Sequence, residues 1–259
     1  MNVPEPIASR DNPLLKRIRL ALRDGAGYRR SGDVWLEGDH LIRAALTRGW
    51  TPRAVVWTAA GLRQWPAGQA IDTRHVQVTP ELMRGLSTLE TPAPVAALLA
   101  WDQPRALRPE QATVVLDRLQ DPGNVGAILR SAAALGVGQV LALKGTVALW
   151  SPKVVRAGMG AHFKLNLLEQ CEPDMLSDLA VPMLATSSHQ GEWLHEADLP
   201  WPCAWLFGHE GQGVDEALLA QAQFAVRIMQ PGGEESLNVA AAAAICLHAS
   251  AVAAARRGL

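Results

Sequence analysis

The chain has little of what staples small folds or binds metals. Its three cysteines, Cys171, Cys203 and Cys246, are odd in number and far apart, and no Cys-x-x-Cys pair occurs. This excludes a disulfide scaffold and a thiolate zinc site and fits a reducing compartment. Neither Gly-x-Gly-x-x-Gly nor Gly-Lys-Ser/Thr is present, so the fingerprints of dinucleotide and triphosphate cradles are missing. The segment Met1 to Asp11 lacks the apolar run of a signal peptide. One stretch without formal charge, Ser236 to Ala255, reaches spanning length. It is mostly alanine, interrupted by Asn238, His248 and Ser250. A bilayer demands stronger hydrophobicity over that length, so the expectation is a buried helix of a cytoplasmic protein, with no membrane partner.

A large excess of charge is also missing. The 259 residues carry 24 Lys/Arg against 25 Asp/Glu, with 49% apolar and 19% charged residues. Such a balance excludes a disordered or collagen-like chain and leaves ample apolar sequence for a core. The small net charge conceals a distribution. The first 30 residues hold 7 basic and 3 acidic groups, residues 111–166 hold 6 and 2, and residues 167–259 hold 3 and 12. Two basic stretches therefore stand against an acidic remainder.

Periodicity and punctuation give the organisation. Asn12-Pro13 reads as an N-cap with proline at the first helical position, opening a basic helix to about Asp24 that carries Lys16, Arg17, Arg19 and Arg23. Short β-rich runs then alternate with helical ones: extended at Val34–Glu37, Arg53–Trp57, His75–Val78 and Val95–Trp101, helical at His40–Thr47 and Pro80–Leu86. The proline-rich, charged segment 102–111 reads as a linker. A second α/β series follows, with strands at Thr113–Leu116, Gln139–Leu143, Pro182–Ala185, Cys203–Phe207 and Ala225–Ile228. Helices are expected at Val125–Leu135 and Leu237–Ala255. Such alternation implies a mostly parallel sheet with helices on both faces. Of the nine tryptophans, most are expected in the core, with base stacking by Trp35 or Trp57 the other use.

In open parallel sheets, ligands sit beyond the carboxyl ends of the strands. Three loops there carry glycine and polar residues. Asp121-Pro-Gly-Asn124 opens a helix whose apolar stripe is Val125, Ile128, Leu129, Ala132 and Leu135, leaving Arg130 on the opposite face. Gly208-His-Glu-Gly-Gln-Gly213 follows a strand, with Glu210 its only formal charge and glycines that let backbone approach a ligand. Pro231-Gly-Gly-Glu-Glu-Ser-Leu-Asn238 leads into the last helix, with Ser236 or Asn238 as its N-cap.

On these residues the sequence resembles the SpoU/TrmH-type RNA ribose 2′-O-methyltransferases of the SPOUT class. The resemblance rests on Asn124-Val-Gly-Ala-Ile-Leu-Arg-Ser-Ala132, Ser151-Pro-Lys-Val-Val-Arg-Ala-Gly-Met-Gly-Ala161, Phe207-Gly-His-Glu-Gly-Gln-Gly213 and Glu235-Ser-Leu-Asn-Val239, in order, and covers about residues 112–255. The N-terminal part, through Leu36-Glu-Gly-Asp-His-Leu-Ile-Arg-Ala-Ala45, is similar to the substrate-binding domain that precedes the catalytic one in many members. The resemblance implies an RNA-binding α/β domain over 1–101, a linker over 102–111 and a trefoil-knotted α/β methyltransferase domain over 112–259. It also implies S-adenosylmethionine and a homodimer through the C-terminal domain. The family's polar set falls on Asn124, Arg130, Glu210, Ser236 and Asn238, and its cofactor contacts on Gly208, Ile228, Leu237, Thr186 and Met229. RNA contacts are expected at Lys16, Arg17, Arg19, Arg23, Lys153 and Arg156; no metal and no DNA are implied. The chain departs from the family's Ile-Pro-Met, having Ile228-Met229-Gln230, which leaves that backbone less constrained. The implied reaction is S-adenosylmethionine-dependent methylation of a ribose 2′-hydroxyl, with ribosomal RNA ahead of transfer RNA. The rivals are a non-catalytic RNA-binding protein, a knotted base methyltransferase and a nicotinamide oxidoreductase, the last opposed by the missing glycine fingerprint.

Overall fold

The computed structural model describes residues 3–101, 105–187, 191–232 and 236–258. The linker reading at 102–104 and Glu235 lie outside them. By contacts the chain divides into two compact units, one of residues 1–103 with 150–163 and one of 104–149 with 164–259. Segment 150–163, assigned by sequence to the catalytic part, thus clusters with the N-terminal unit.

The first unit is built on a five-stranded mixed sheet in the order β1-β4-β3-β5-β2. In chain order its elements are β1 (Glu5–Ile7), α1 (Pro13–Leu22), α2 (Gly27–Ser31), β2 (Asp33–Glu37), α3 (Asp39–Thr47), β3 (Pro52–Trp57), α4 (Ala59–Gln64), β4 (Arg74–Val78), α5 (Pro80–Arg84) and β5 (Val95–Ala100). The cap reading holds: Asn12 accepts from the Leu14 amide with Pro13 at N1, and α1 buries Leu15, Ile18 and Ala21. These pack with Trp35, Val56, Val76, Val78 and Leu98 in one core cluster or beside it. Trp35 and Trp57 are both buried, 3% and 0% exposed, so they fill the core and are not free to stack on bases. Trp57 donates its indole N–H to His75 Nδ1 at 3.0 Å, and His75 Nε2 faces the Ile71 carbonyl at 2.8 Å. Both polar ends of this pair are thereby satisfied inside the core.

The chain then continues through β6 (Thr113–Leu116), α6 (Pro122–Ala134), β7 (Gln139–Leu143) and α7 (Pro152–Gly158), of which α7 belongs to the first unit. The remaining elements are β8 (Asn166–Cys171), β9 (Met183–Thr186), β10 (Glu192–Trp193), β11 (Ala204–Phe207), α8 (Glu216–Leu219), β12 (Phe224–Arg227) and α9 (Val239–Arg256). Neither β8 nor α7 was expected from periodicity. The second unit's sheet runs β10-β12-β9-β11-β6-β7-β8, and every pairing is parallel. Its central strands β6, β7 and β11 are buried throughout, as a sheet covered on both faces requires. Asn238 caps α9, accepting from the Ala240 and Ala241 amides. By length and composition α9 is apolar enough to cross a membrane. It nevertheless packs on α6 and β11 and buries Ala243, Cys246, Leu247, Ser250 and Ala254.

All three cysteines are free and buried, and burial pushes their thiols up, Cys203 to about 11 and Cys246 to about 12. They stay protonated and act as small apolar fillers. Beside Cys203 and Cys246 the layers are joined at Ser250 Oγ, which accepts from the Trp205 indole N–H at 2.9 Å and lies 3.9 Å from Cys203 Sγ in a fully buried setting. Ser250→Ala orphans that N–H, so chemical denaturation is expected to report a loss of about 1–3 kcal/mol.

Candidate active site

The parallel register puts the carboxyl ends of β12, β9, β11 and β6 side by side. The loops after β9, β11 and β12, with the approach to α9, line a cleft of about 700 Å³. Thr186 comes from the end of β9, Gly208 to Val214 from the loop after β11, Ile228 and Gln230 from the loop after β12, and Ser236 to Asn238 from the approach to α9. Four of the five expected cofactor contacts, Gly208, Ile228, Leu237 and Thr186, therefore meet in one place. Met229 does not line the cleft and is 52% exposed.

The glycine loop is held shut by its own chemistry. A Cβ on Gly208 would stand 2.1 Å from the Val214 amide nitrogen, so no larger residue fits there. Gly213 has φ +70. His209 Nδ1 accepts from the Gly211 and Gln212 amides at 3.0 and 3.2 Å, and Gly213 N donates to the His209 carbonyl at 2.8 Å. From beneath, buried Asp117 accepts from the Asp215 amide at 2.9 Å. Arg118 forks onto Asp117 at 2.8 and 2.9 Å and reaches Gln212 Oε1 at 3.3 Å. That ion pair holds the Arg118 guanidinium above its usual range. Arg118 takes this position with φ +56, a left-handed backbone that costs any residue bearing a Cβ about 1–2 kcal/mol.

Glu210 ties this loop to the other two. Its carboxylate accepts from the amides of Gln120 and Asp121 at 3.2 and 3.1 Å and from Asn124 Nδ2 at 3.2 Å. Asn124 Oδ1 in turn accepts from Asn238 Nδ2 at 2.9 Å. Burial pushes the Glu210 carboxyl up, but these donors and its own amide outweigh it, and it ends below the usual glutamate range. Asn124, Glu210 and Asn238 thus form one chain of hydrogen bonds, and Ser236 sits beside them on the cleft wall. Arg130 does not join. It is exposed, lines no part of the cleft, and has no hydrogen bond or ion pair among the described residues. Among the described residues no cluster of His, Cys, Asp and Glu has the makings of a metal site.

The cleft suits a nucleoside carrying a cationic group. Among the described residues Glu210 is the one carboxylate on its wall and no lysine or arginine lines it, which favours a positive ligand over a phosphate. The side-chain oxygen of Gln230 is buried on this wall without a hydrogen-bond partner. A buried acceptor of that kind is satisfied when a ligand with N–H or O–H groups fills the space.

The expected RNA contacts on the first unit are mostly engaged within the protein. Lys16 pairs with Asp11 at 3.0 Å, Arg17 with buried Asp33, and Arg23 with Asp24 at 3.7 Å. Arg19 donates to the Arg10 carbonyl at 2.7 Å. The Arg53 Nε atom also stands 3.1 Å from Asp33, so Arg17 neutralises a buried carboxylate. Lys153 and Arg156, on α7, are exposed and unpaired among the described residues.

Residues 111–248 match the SpoU rRNA Methylase family, and residues 12–97 match the MRM3-like substrate binding domain. The chain is 34% identical over 252 residues to an uncharacterised tRNA/rRNA methyltransferase of Synechocystis, covering 93% of this chain and 92% of that protein. It is 27% identical over 216 residues to the 23S rRNA (guanosine(2553)-2′-O)-methyltransferase RlmP of Bacillus subtilis, covering 82% and 86%. The solved structure of an AdoMet-bound rRNA methyltransferase from Sinorhizobium meliloti shares the fold with a TM-score of 0.82 at 26% identity over 98% of both chains.

The hydrogen-bond chain generates a test. Asn124→Ala and Asn238→Ala each break it, so each is expected to weaken S-adenosylmethionine binding in calorimetry. The double variant is expected to lose less than the sum, with a coupling of about 0.5–3 kcal/mol. Strict additivity would count against a shared network.

Proposed function

The chain belongs to the SpoU rRNA methylase family, and from that premise we propose that it methylates a ribose 2′-hydroxyl of ribosomal RNA. That it is an RNA methyltransferase using S-adenosylmethionine follows from its relatives. The ribose and the ribosomal substrate are the finer reading. One observation carries it: the Glu210–Asn124–Asn238 chain ties the glycine loop, the start of α6 and the N-cap of α9 together beside a cleft where, among the described residues, no metal cluster forms and the one carboxylate is fully occupied. A hydroxyl nucleophile requires placement and charge stabilisation more than it requires a strong base. The B. subtilis relative acts on a guanosine 2′-oxygen of 23S rRNA by its name, and the substrate-binding match to residues 12–97 supports the ribosomal choice.

The cofactor, when bound, supplies a methyl group already activated by its positive sulfur. The chain's residues do the rest. Gly208 lets the glycine loop fold back onto its own backbone at Gly213 and Val214, and the loops after β9 and β12 close the walls. Holding nucleophile and methyl in line contributes about 7–11 kcal/mol in favourable cases. Glu210 is not the base: both its oxygens are taken by N–H donors and its carboxyl is held below the usual range. It orders the glycine loop. Asn238 fixes Asn124, and Asn124 in turn holds the Glu210 carboxylate. Arg130 is the only cation of α6. Because a guanidinium stays protonated, it acts by stabilising the oxyanion that develops as the ribose oxygen takes the methyl group from the sulfur and its proton passes to solvent water.

Arg130→Ala is expected to lower methyl transfer from radiolabelled cofactor about a hundredfold or more while cofactor affinity stays within a few-fold. Undiminished transfer would sink the assignment. Mapping 2′-O-methyl positions in ribosomal and transfer RNA, with and without the gene, identifies the target; loss of a transfer-RNA mark alone would reverse the ribosomal reading.

A homodimer through the C-terminal unit is part of the same proposal. It is supported by α9, which leaves Ile245 41% exposed, and by Arg130, which stands outside its own chain's cleft and is free for a second copy. Light scattering is expected to give about twice the 27.8 kDa chain mass; a monomer would contradict it.

A further inference from the structure

In the first unit a second concave site opens at the carboxyl ends of β3 and β4, away from the paired cations of α1. It is a pocket of about 320 Å³ lined by Thr58, Ala59, Ala60, Arg63, Pro80, Met83, Arg84 and the turn Pro92–Pro94. Its walls are fixed. The Thr58 hydroxyl donates to the Pro94 carbonyl at 3.0 Å and accepts from the Gly61 amide at 3.2 Å. A Cβ on Gly61 would stand 2.2 Å from the Pro94 oxygen, so α4 is pressed against the turn. The floor of alanine, proline and methionine is apolar. The rim carries two guanidiniums, Arg63 from α4 and Arg84 from α5, both exposed and neither in a hydrogen bond or ion pair among the described residues. The neighbouring carboxylate, Glu81, is held by its own amide and the Thr79 hydroxyl at the start of α5, and Arg84 acts on it only weakly.

Two unpaired cations over an apolar pocket form an unbalanced arrangement. It is resolved by a ligand with an anionic group at the rim and a flat apolar face below. An unstacked nucleotide has both: phosphate for the guanidiniums, base for the floor. Single-stranded loops and bulges are where RNA offers such groups, whereas a duplex keeps its bases stacked. We propose that the Arg63/Arg84 pocket seats an unstacked nucleotide of the RNA substrate. The proposal rests on the RNA-substrate reading above and names where the first unit grips. It moves the grip from α1, whose cations are internally paired, to the sheet edge between α4 and α5.

The test is fluorescence anisotropy with an end-labelled single-stranded RNA of mixed sequence and a blunt duplex of equal length, each titrated over a range of salt. The full-length parent is expected to favour the single strand. The Arg63→Ala/Arg84→Ala double variant is expected to lose about tenfold or more in single-strand affinity. Its slope of log affinity against log salt is expected to flatten by about one to two. Its melting midpoint is expected to stay at the parent value, because both side chains are exposed. Ala59→Trp, which fills the pocket and keeps both charges, is expected to weaken single-strand binding and spare the duplex. A double variant with the parent's affinity and slope overturns the subsite. So does an equal loss on both probes, which marks diffuse surface charge. A parent that binds neither probe overturns the subsite together with the RNA reading, whereas methyl transfer intact in the parent with an unaffected double variant overturns the subsite alone.

Discussion

The active cleft depends on one constraint, the parallel pairing of the C-terminal sheet. Parallel strands deliver every carboxyl end to the same edge, and the order β12-β9-β11-β6 sets four of those ends in a row. Any antiparallel member would have sent its loop to the far side. The central strands β6, β7 and β11 bury both faces to achieve this, and α9 is pinned to the sheet at points such as Trp205 on Ser250. Catalytic loops are thereby carried on the least deformable part of the fold, which is what precise placement of two reacting groups requires.

On that edge, Glu210 sets the local electrostatics. A carboxylate gathering backbone amides and an asparagine N–H remains charged, and its donors from segment 120–124 tie the glycine loop to the start of α6. This explains how a loop with three glycines between 208 and 213 keeps one shape. Glu210 is ionised yet fully occupied, so its role is architectural. Arg130, which the proposed reaction relies on, keeps its N–H donors free of partners among the described residues. The missing proline at Met229 loses some of its weight in this setting, since Met229 faces away from the cleft and Gln230 takes the place on its wall.

The N-terminal unit follows a different logic. Its basic helix looks like a nucleic-acid surface in composition, but Arg17 is drawn inward by Asp33, and Lys16, Arg19 and Arg23 have partners of their own. Surface pairs of this kind are individually weak, yet each costs an incoming phosphate something to displace. Cations without partners among the described residues, at Arg63, Arg84, Lys153 and Arg156, are the more available ones.

Much of the architecture was legible in the residues. The cap at Asn12, the apolar stripe of α6, the alternation of strands with helices and the polar glycine loops are all near-neighbour patterns, and backbone geometry acts on near neighbours. The N-cap of α9 was readable for the same reason, although Ser236 and Asn238 were equal candidates until the Asn238 oxygen was seen to take the Ala240 and Ala241 amides. The strand β8 and the helix α7 escaped, because a short run with mixed polarity has no clear period. What only the tertiary structure decided is which distant residues meet. Asn124 reaches Glu210 across 86 positions and Asn238 across 114, Trp35 and Trp57 are taken into the core, and Arg17 turns inward while Arg63 and Arg84 stay free. Sequence sets each side chain's chemistry and its local conformation; the order of strands in a sheet is a non-local choice, and it alone determines whose partner each of them becomes.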